Sequence, residues 1–457
     1  MSESLSIVIL AAGKGTRMKS DLPKVLHKVA NREMLNLVID EAKILQPKNI
    51  TIVVSEEMKD FQEKILQSHL DAQISFILQK QRNGTAHAVS TALENLIDLG
   101  EKLLILYGDT PLISYISLQK MLKKLDEFSL CILGFEDKEP NAYGRLVIDE
   151  SGNLEKIIEF KDATSEEQKI VLCNSGVIAV DGAKIKNLLA KVKNENAAGE
   201  FYLTDIVAIA GELGLKRGFL KTQIDEVLGV NSRAELAKVE EIKQNQIRKK
   251  MMDLGVTIID PNSVYFSFDT EIGSDSTIHP QVFFGTKVQI SKNVEIKSFS
   301  HIEGAKISSG AVLGPFVRIR PNTKIDENVR VGNFVEIKKS HLKSGVKVNH
   351  LSYIGDAEIG EASNIGAGTI TCNFDGHNKF NTKIGKNVFI GSNSALIAPI
   401  EISDGAVVGA GSVITKNVDI NELAVARAKQ IVVAQGGKNF HEKKLKNKNE
   451  QKINLPN

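Results

Sequence analysis

The chain has 457 residues, 42% of them apolar and 25% charged, with 35 Gly and no Trp. This is too long for one ordinary core, so two or three domains are expected, and the composition excludes a disordered, collagen-like or disulfide-rich chain. The formal charge of +2 belongs to the C-terminal end: residues 438–457 hold six Lys against two Glu, leaving −2 on the other 437. That Lys/Asn-rich end has few aromatics for stacking and reads as a disordered basic tail, with no nucleic-acid partner. No apolar run approaches the roughly 20 residues of a membrane span, and Leu5–Leu10 lacks the basic flank of a signal peptide, so a cytoplasmic location without membrane insertion is expected. Cys131, Cys173 and Cys372 match neither a disulfide framework nor a zinc spacing and read as structural thiols.

In chain order, the first half alternates apolar runs with helical patterns. Strands are expected at Ile7–Ala11, Ile50–Val54, Ile74–Leu78 and Lys102–Tyr107, and helices near Glu33–Leu45, Lys59–Ser68 and His87–Leu96. Strands buried on both faces and separated by helices specify a doubly wound, mostly parallel α/β (Rossmann-like) sheet, assigned to residues 1–233. After the first strand come Leu10-Ala11-Ala12-Gly13-Lys14-Gly15-Thr16-Arg17-Met18 and Pro23-Lys24. A glycine-rich strand-to-helix turn lets backbone N–H groups and a helix N-terminus approach phosphate, while Arg17 and Lys24 neutralise it; an ordinary turn is the alternative. Tyr107-Gly108-Asp109 places a carboxylate at the C-terminal edge of the sheet, where such folds bind ligands, so Asp109 is a candidate Mg2+ ligand or a turn-former. Residues 234–254, rich in Glu, Lys and Gln, read as a linker helix ended by Gly255.

From residue 255 onward the pattern changes. An aliphatic residue or Phe recurs every six positions at 266, 272, 278, 284, 290, 296 and 302, continues with a few five-residue steps to 365, and resumes from 384 to 414. Six fits neither the helical nor the strand period. It fits a short strand plus a turn, three of which close a triangular coil of about 18 residues with the aliphatics laddered inside. Small residues follow many markers, as in Leu313-Gly314, Val331-Gly332, Ile365-Gly366 and Ile390-Gly391, and are expected at corners where positive φ is cheap for glycine. A β-sandwich would alternate with period two and does not fit. Thr371–Phe380 breaks the period and is expected to be an excursion loop. Arg320, Lys338 and Lys339, about one coil apart, come side by side as a phosphate holder. His350 falls at a corner outside the core, with Tyr353 and Asn364 within one or two coils, which suits a general base better than a structural histidine. Gly366-Ala367-Gly368 and Gly409-Ala410-Gly411 form a smooth wall for a thin thioester arm.

The Gly-x-Gly-Thr-Arg segment with Pro23-Lys24 resembles the sugar-phosphate nucleotidyltransferases and departs from the kinase-type P-loop. The hexad pattern resembles the all-β left-handed parallel β-helix of hexapeptide-repeat proteins, here residues 255–457 with a C-terminal arm. Over nearly the whole chain, further motifs resemble the bacterial bifunctional family of N-acetylglucosamine-1-phosphate uridyltransferase and glucosamine-1-phosphate N-acetyltransferase. That resemblance implies synthesis of UDP-N-acetylglucosamine from acetyl-CoA, glucosamine-1-phosphate and UTP through N-acetylglucosamine-1-phosphate. It implies nucleotide and sugar binding by Leu10, Ala11, Ala12, Gly13, Arg17, Lys24, Gln79, Gly84, Thr85, Tyr107, Gly108, Asp109, Gly144, Glu159, Asn174 and Asn231. Gln79 and Gly84-Thr85-Ala86-His87 read the uracil, and Asp109 and Asn231 hold Mg2+.

For acetyl transfer the resemblance implies that Arg320, Lys338, Tyr353 and Asn364 hold the amino-sugar phosphate and that His350 takes the proton of the attacking amine. Acetyl-CoA is contacted by Ala367, Asn373, Phe374, Ser392, Ala410 and Arg427. Phe374 stands where the family usually has Tyr, and the family's Trp in the C-terminal arm is missing. A homotrimer with shared sites is also implied, the excursion loop and residues 424–435 reaching a neighbour. Two other readings are a nucleotidyltransferase of different specificity with a non-catalytic oligomerising β-helix, and an inactive assembly subunit. The first leaves His350 with Arg320 and Lys338 unexplained, and intact Arg17, Lys24, Asp109 and Asn231 speak against the second.

Overall fold

The computed structural model describes residues 4–453 apart from Ile97 and Pro140. The chain forms two compact units, Met1–Ser274 with Pro280–Val288, and Asp275–His279 with Gln289–Asn457.

The first unit runs β1 (Leu5–Ala11), α1 (Met34–Ile44), β2 (Asn49–Val54), α2 (Gln62–Ser68), β3 (Ile74–Leu78), α3 (Thr85–Asn95), β4 (Lys102–Tyr107), α4 (Tyr115–Lys124), β5 (Leu130–Glu136), β6 (Arg145–Ile148), β7 (Leu154–Ile158), β8 (Leu172–Asp181), α5 (Gly182–Leu189), α6 (Ile206–Glu212), β9 (Arg217–Thr222) and α7 (Arg233–Asp253). The sheet order is β9-β5-β8-β4-β1-β2-β3, with the β6–β7 hairpin attached to β8. β1 pairs in parallel with both β2 and β4, and β8 alone on this path runs antiparallel, against β4 and β5. The uninterrupted apolar run of β1 has a direct cause: Val8 and Leu10 join one core and Ile7 and Ile9 the other, because successive side chains point to opposite faces. From β1 the chain builds β2 and β3 on one side, then returns to place β4 on the other. The C-terminal ends of β1 and β4 therefore flank a topological switch point.

α7 belongs to this unit: Val239 packs with Met18, Val29 and Met34, and Gln244 bonds the backbone of Phe266 through both its amide atoms, at 2.7 and 2.9 Å. The glycine-rich segment does not lead into an α-helix as expected. It enters a 3-10 turn, Thr16–Met18, bounded by left-handed Gly15 (φ 60°) and Lys19 (φ 48°), and the first α-helix starts at Met34. A cradle here relies on loop backbone and side-chain charge, not on a helix dipole.

The second unit is a parallel β-helix, built from strands of two to four residues in three parallel sheets. Ile278, Ile296, Leu313, Val331, Val348, Ile365, Ile390 and Val408 stack in register along one of them, all buried. Of the glycines that follow a marker, Gly314 has the positive φ expected (92°), whereas Gly332, Gly366 and Gly391 have a different cause. Positive φ occurs three places after the marker, at Asn293, Phe299, Phe316, Asn328, Phe334, Leu351, Asn387 and Asn393, whereas Gly332, Gly366 and Gly391 are not among the positive-φ residues. A Cβ on Gly332 would lie 1.9 Å from Asn349 O, on Gly366 2.6 Å from Ile390 O, and on Gly391 2.4 Å from Ala410 N. Coil-to-coil spacing excludes a side chain there.

The interruption is an excursion between strands Ile370–Cys372 and Thr382–Ile384, pinched by a Phe374–Lys379 bridge and by Phe380 N donating to Asn373 O at 2.9 Å. The end of the chain departs from the disordered tail expected of it: Gly436–Ile453 forms a helix, α8, whose described side chains are almost all exposed. Past Gly437 it holds no Gly or Pro and is rich in Lys, a good helix former. Residues 454–457 of that tail lie outside the described residues. The three thiols are unpaired, and burial pushes Cys131 up to about 12, as befits an inert structural cysteine.

Candidate active sites

A cavity of about 290 Å³ opens at the switch point of the first unit, lined by Leu10, Ala11, Ala12, Gly13, Lys24, Gln79, Gly84, Thr85, Tyr107 and Asp109, with Arg82 and Glu200 added. A second lobe of about 430 Å³ shares Thr85, Tyr107 and Glu200 and adds Glu159, Phe160, Asn174, Tyr202 and Thr204. Gly108 N donates to Leu10 O at 3.0 Å, which joins the ends of β1 and β4. Gly15 is required twice over, by its positive φ and because a Cβ would lie 2.7 Å from Lys24 Cβ. Gly144 O accepts from Asn174 N at 2.8 Å, and Gly144 packs beside Glu159. Gly176, at a β-bulge in β8, lets the Tyr107 ring in: a Cβ would meet it at 2.7 Å. Arg17 stands apart, exposed on the 3-10 turn and not among the residues lining either lobe.

At the floor of the cleft Lys24 Nζ pairs with Asp109 Oδ2 and donates to Asn231 Oδ1 at 3.0 Å. Asn231 is held there by two links. Val230 N donates to Asp109 O at 3.0 Å, and the capping box of α7, Ser232 with Glu235, fixes the chain just after it. Two hard oxygen donors thus converge on one cationic centre, a set that fits a magnesium ion, which commonly takes one or two protein ligands beside substrate phosphates. Among the described residues no group of three or more His, Cys, Asp or Glu gathers to hold a metal unaided. In the second lobe burial raises Glu159, whose Oε1 accepts from Thr204 Oγ1 at 3.0 Å. Burial, then the Glu159 and Asp162 carboxylates, lift Asp205 to about 6.

In the second unit Arg320 and Lys338 come together on adjacent coils of one sheet, as Ile319 and Ile337 are in register. Arg320 Nη1 pairs with Glu336 at 2.9 Å, and Lys338 and Lys339 both reach the buried Asp356, at 3.5 and 3.3 Å. Tyr353 lies on the next coil, its hydroxyl over Gly355. One corner earlier, exposed His350 has Nδ1 3.0 Å from Asn333 Oδ1. The register places His350, Ala367, Ser392 and Ala410 in one column, and Arg427 Nη1 donates to Ala410 O at 2.9 Å. Asn373 is buried, donating to Asp356 Oδ2 at 2.6 Å, while Phe374 is exposed on the excursion loop. Asn364 is in register with Lys347 on a different sheet from Arg320 and Lys338, so one chain does not bring it to them.

Four residues escape sequence reading. Arg82 and Glu200 line the nucleotide lobe from loops, and Asn333 reaches His350 from the preceding coil. Lys379, on the excursion loop, comes beside Lys338, and the neighbouring Lys338 lowers its pKa. Asn333 had a usable signal, its place one coil before His350; the others had none.

Comparison with known proteins finds a family model described as MobA-like NTP transferase domain over residues 7–170, one described as bacterial transferase hexapeptide (six repeats) over 304–339, and one described as hexapeptide repeat of succinyl-transferase over 381–416. A protein named "Bifunctional protein GlmU" from Zymomonas mobilis is 47% identical over 444 residues, covering 96% of this chain and 98% of its own. Proteins of the same name from Paramagnetospirillum magneticum (46%, 94% of this chain and 95% of that one) and Xanthobacter autotrophicus (45%, 97% and 99%) are similar to the same extent.

Proposed function

The chain belongs to the bifunctional GlmU family, and on that premise we propose which residues carry each of its two reactions. It is an enzyme of UDP-N-acetylglucosamine synthesis that transfers acetyl from acetyl-CoA to glucosamine-1-phosphate, then uridylyl from UTP to N-acetylglucosamine-1-phosphate with release of pyrophosphate.

Uridylyl transfer belongs to the first unit, and the observation that supports this most is the meeting of Lys24, Asp109 and Asn231 at the switch point. A sugar-phosphate oxygen attacks the α-phosphorus and pyrophosphate leaves, so no protein nucleophile is needed. Lys24 neutralises the phosphates from the floor, and exposed Arg17 is its partner from the rim. Gln79 and Gly84 hold the base, while Glu159, Asn174 and Gly144 hold the sugar. Asp109 and Asn231 hold Mg2+, which when bound supplies charge neutralisation at the phosphates.

Acetyl transfer belongs to the β-helix. Asn333 Oδ1 accepts Nδ1–H of His350, which leaves Nε2 as the basic nitrogen facing solvent. Nε2 takes the proton lost as the amine nitrogen bonds the acetyl carbon and the CoA thiolate departs. Arg320, Lys338, Tyr353 and, by its contact with Lys338, Lys379 hold the phosphate. Ala367, Ser392, Ala410 and Arg427 form the acetyl-CoA wall, with Asn373 and Phe374 at its edge. Asn364's place on another sheet supports a homotrimer in which a neighbour completes each site. No described helix is long and apolar enough to cross a membrane, and we place the enzyme in the cytoplasm.

The test supplies glucosamine-1-phosphate, acetyl-CoA, UTP and Mg2+ and follows thiol and pyrophosphate release separately. His350→Ala should abolish only the first when N-acetylglucosamine-1-phosphate is also supplied, and Asp109→Ala only the second. Loss of both releases in either variant would overturn the assignment.

A further inference from the structure

We propose that His87, which does not itself line the nucleotide cavity, selects uracil over cytosine by fixing which atom of the Gln79 amide faces the base. The proposal rests on the reading that Gln79 faces the base.

Gln79 follows β3 directly, its backbone pinned by donation to Val54 O at 2.9 Å, and its side chain is buried in the cavity wall. Its terminal nitrogen lies 3.3 Å from Gly84 O and 3.2 Å from His87 Nδ1. The chemistry of these neighbours decides the orientation. A carbonyl oxygen only accepts, so the atom facing Gly84 O must be the NH2. That carbonyl cannot swing away easily: Gly84 has φ 113°, and a Cβ there would lie 2.5 Å from the backbone oxygen of Phe201. The second amide hydrogen points at His87 Nδ1, which must therefore be the bare nitrogen of the ring, with the ring proton on Nε2.

Both donors of Gln79 are then consumed inside the wall, and no described residue donates to Oε1. The side chain offers the cavity an acceptor alone. An acceptor suits the N3–H of uracil; N3 of cytosine carries a lone pair, and two acceptors would face each other without a proton between them. A site built to accept a ligand N–H discriminates strongly against the analogue that lacks it, because a buried polar atom is left unpaired. Without the His87 acceptor the Gly84 bond alone holds the amide, so its second hydrogen is free to swing toward the base and offer a donor to N3 of cytosine.

The experiment measures kcat/KM for UTP and for CTP, by pyrophosphate release with N-acetylglucosamine-1-phosphate, in the full-length wild type and in His87→Leu, His87→Asn and Gln79→Ala. His87→Leu should lower the UTP-to-CTP ratio by roughly tenfold or more. His87→Asn, whose Oδ1 takes the place of Nδ1 as an acceptor, should keep the ratio within about threefold of wild type. If the Leu variant does not fold, His87→Lys makes the same test on a half-exposed position, because a donor there opposes the second amide hydrogen, turns it toward the base and should also collapse the ratio. A ratio that falls in Gln79→Ala but not in His87→Leu or His87→Lys overturns the role of His87 and leaves the base reading standing. A ratio unchanged in Gln79→Ala overturns the base reading itself.

Discussion

Adding one methyl group at Gly391 should damage the β-helix far more than replacing Gly411, although Gly411 is the one with the left-handed backbone. A Cβ on Gly391 would sit 2.4 Å from Ala410 N, 2.7 Å from Ala410 Cα and 2.7 Å from Val408 O, all backbone of the next coil. None of these atoms can rotate away. Relief requires the two coils to separate, and Gly391 N is tied to Val408 O at 2.8 Å, so separation stretches the ladder itself. Overpacking of this kind costs about 1–3 kcal/mol, and backbone contacts place Gly391→Ala at the upper end, about 3 kcal/mol. Gly411 has φ 73° and nothing within 4 Å of its Cβ position. Asn occupies the equivalent turn position at 293, 328, 387 and 393 with φ between 53° and 58°, so Gly411→Asn should cost under about 0.5 kcal/mol. For a unit of this size, roughly 2–4 °C per kcal/mol gives a fall of about 6–12 °C for Gly391→Ala against about 1–2 °C for Gly411→Asn, read by calorimetry. Gly391 precedes Ser392 in the column that continues from His350, so thiol release should fall with it while pyrophosphate release holds. The reasoning is refuted if the two variants melt within a degree of each other, or if Gly411→Asn is the worse.

Lys24→Met should cut pyrophosphate release by about a hundredfold or more and leave thiol release intact, since it removes a charge from the transition state and not from the other unit. Asn333→Ala should lower thiol release by roughly tenfold, less than His350→Ala, because it frees the imidazole tautomer without removing the base; equal losses would mean Asn333 does more than orient. Asp205 gives a pH test. Burial, with Glu159 and Asp162, lifts its carboxyl from 3.8 to about 6, above its value in the unfolded chain, so folding favours the protonated form. The resulting stability is present below about pH 4 and is lost as pH rises through 6. Asp205→Asn should therefore raise the stability at pH 7.5 by about 1 kcal/mol after discounting for partial exposure, read as a higher melting temperature, with no gain at pH 4. A gain of equal size at both pH values would show that ionisation is not the cause.

The hexad period announced the β-helix because each face of a coil admits one inward side chain, so a single geometric requirement repeats through Ile278, Ile296, Leu313 and their successors. The first sheet was legible for the same reason at period two, with β1 feeding two cores. Inward placement, however, says nothing about why an outward residue is small. Glycine after the marker, as at Gly332, Gly366 and Gly391, and Asn or Phe two places later look alike as punctuation, yet one is excluded volume from the next coil and the other is backbone φ. Only the distance between coils separates the two causes, and that distance is not written in any one hexad. The sites divide along the same line. Lys24, Asp109 and Asn231 lie up to 207 positions apart and their meeting was inferred from a family likeness; the folded chain brings them together through a strand pair and a helix cap. Arg82, Glu200 and Lys379 enter from loops that obey no period, so no count of spacings could have found them. For His350 the register itself supplies the partner: whatever stands one coil before it on the same corner is within reach of its ring, and in this chain that residue is Asn333.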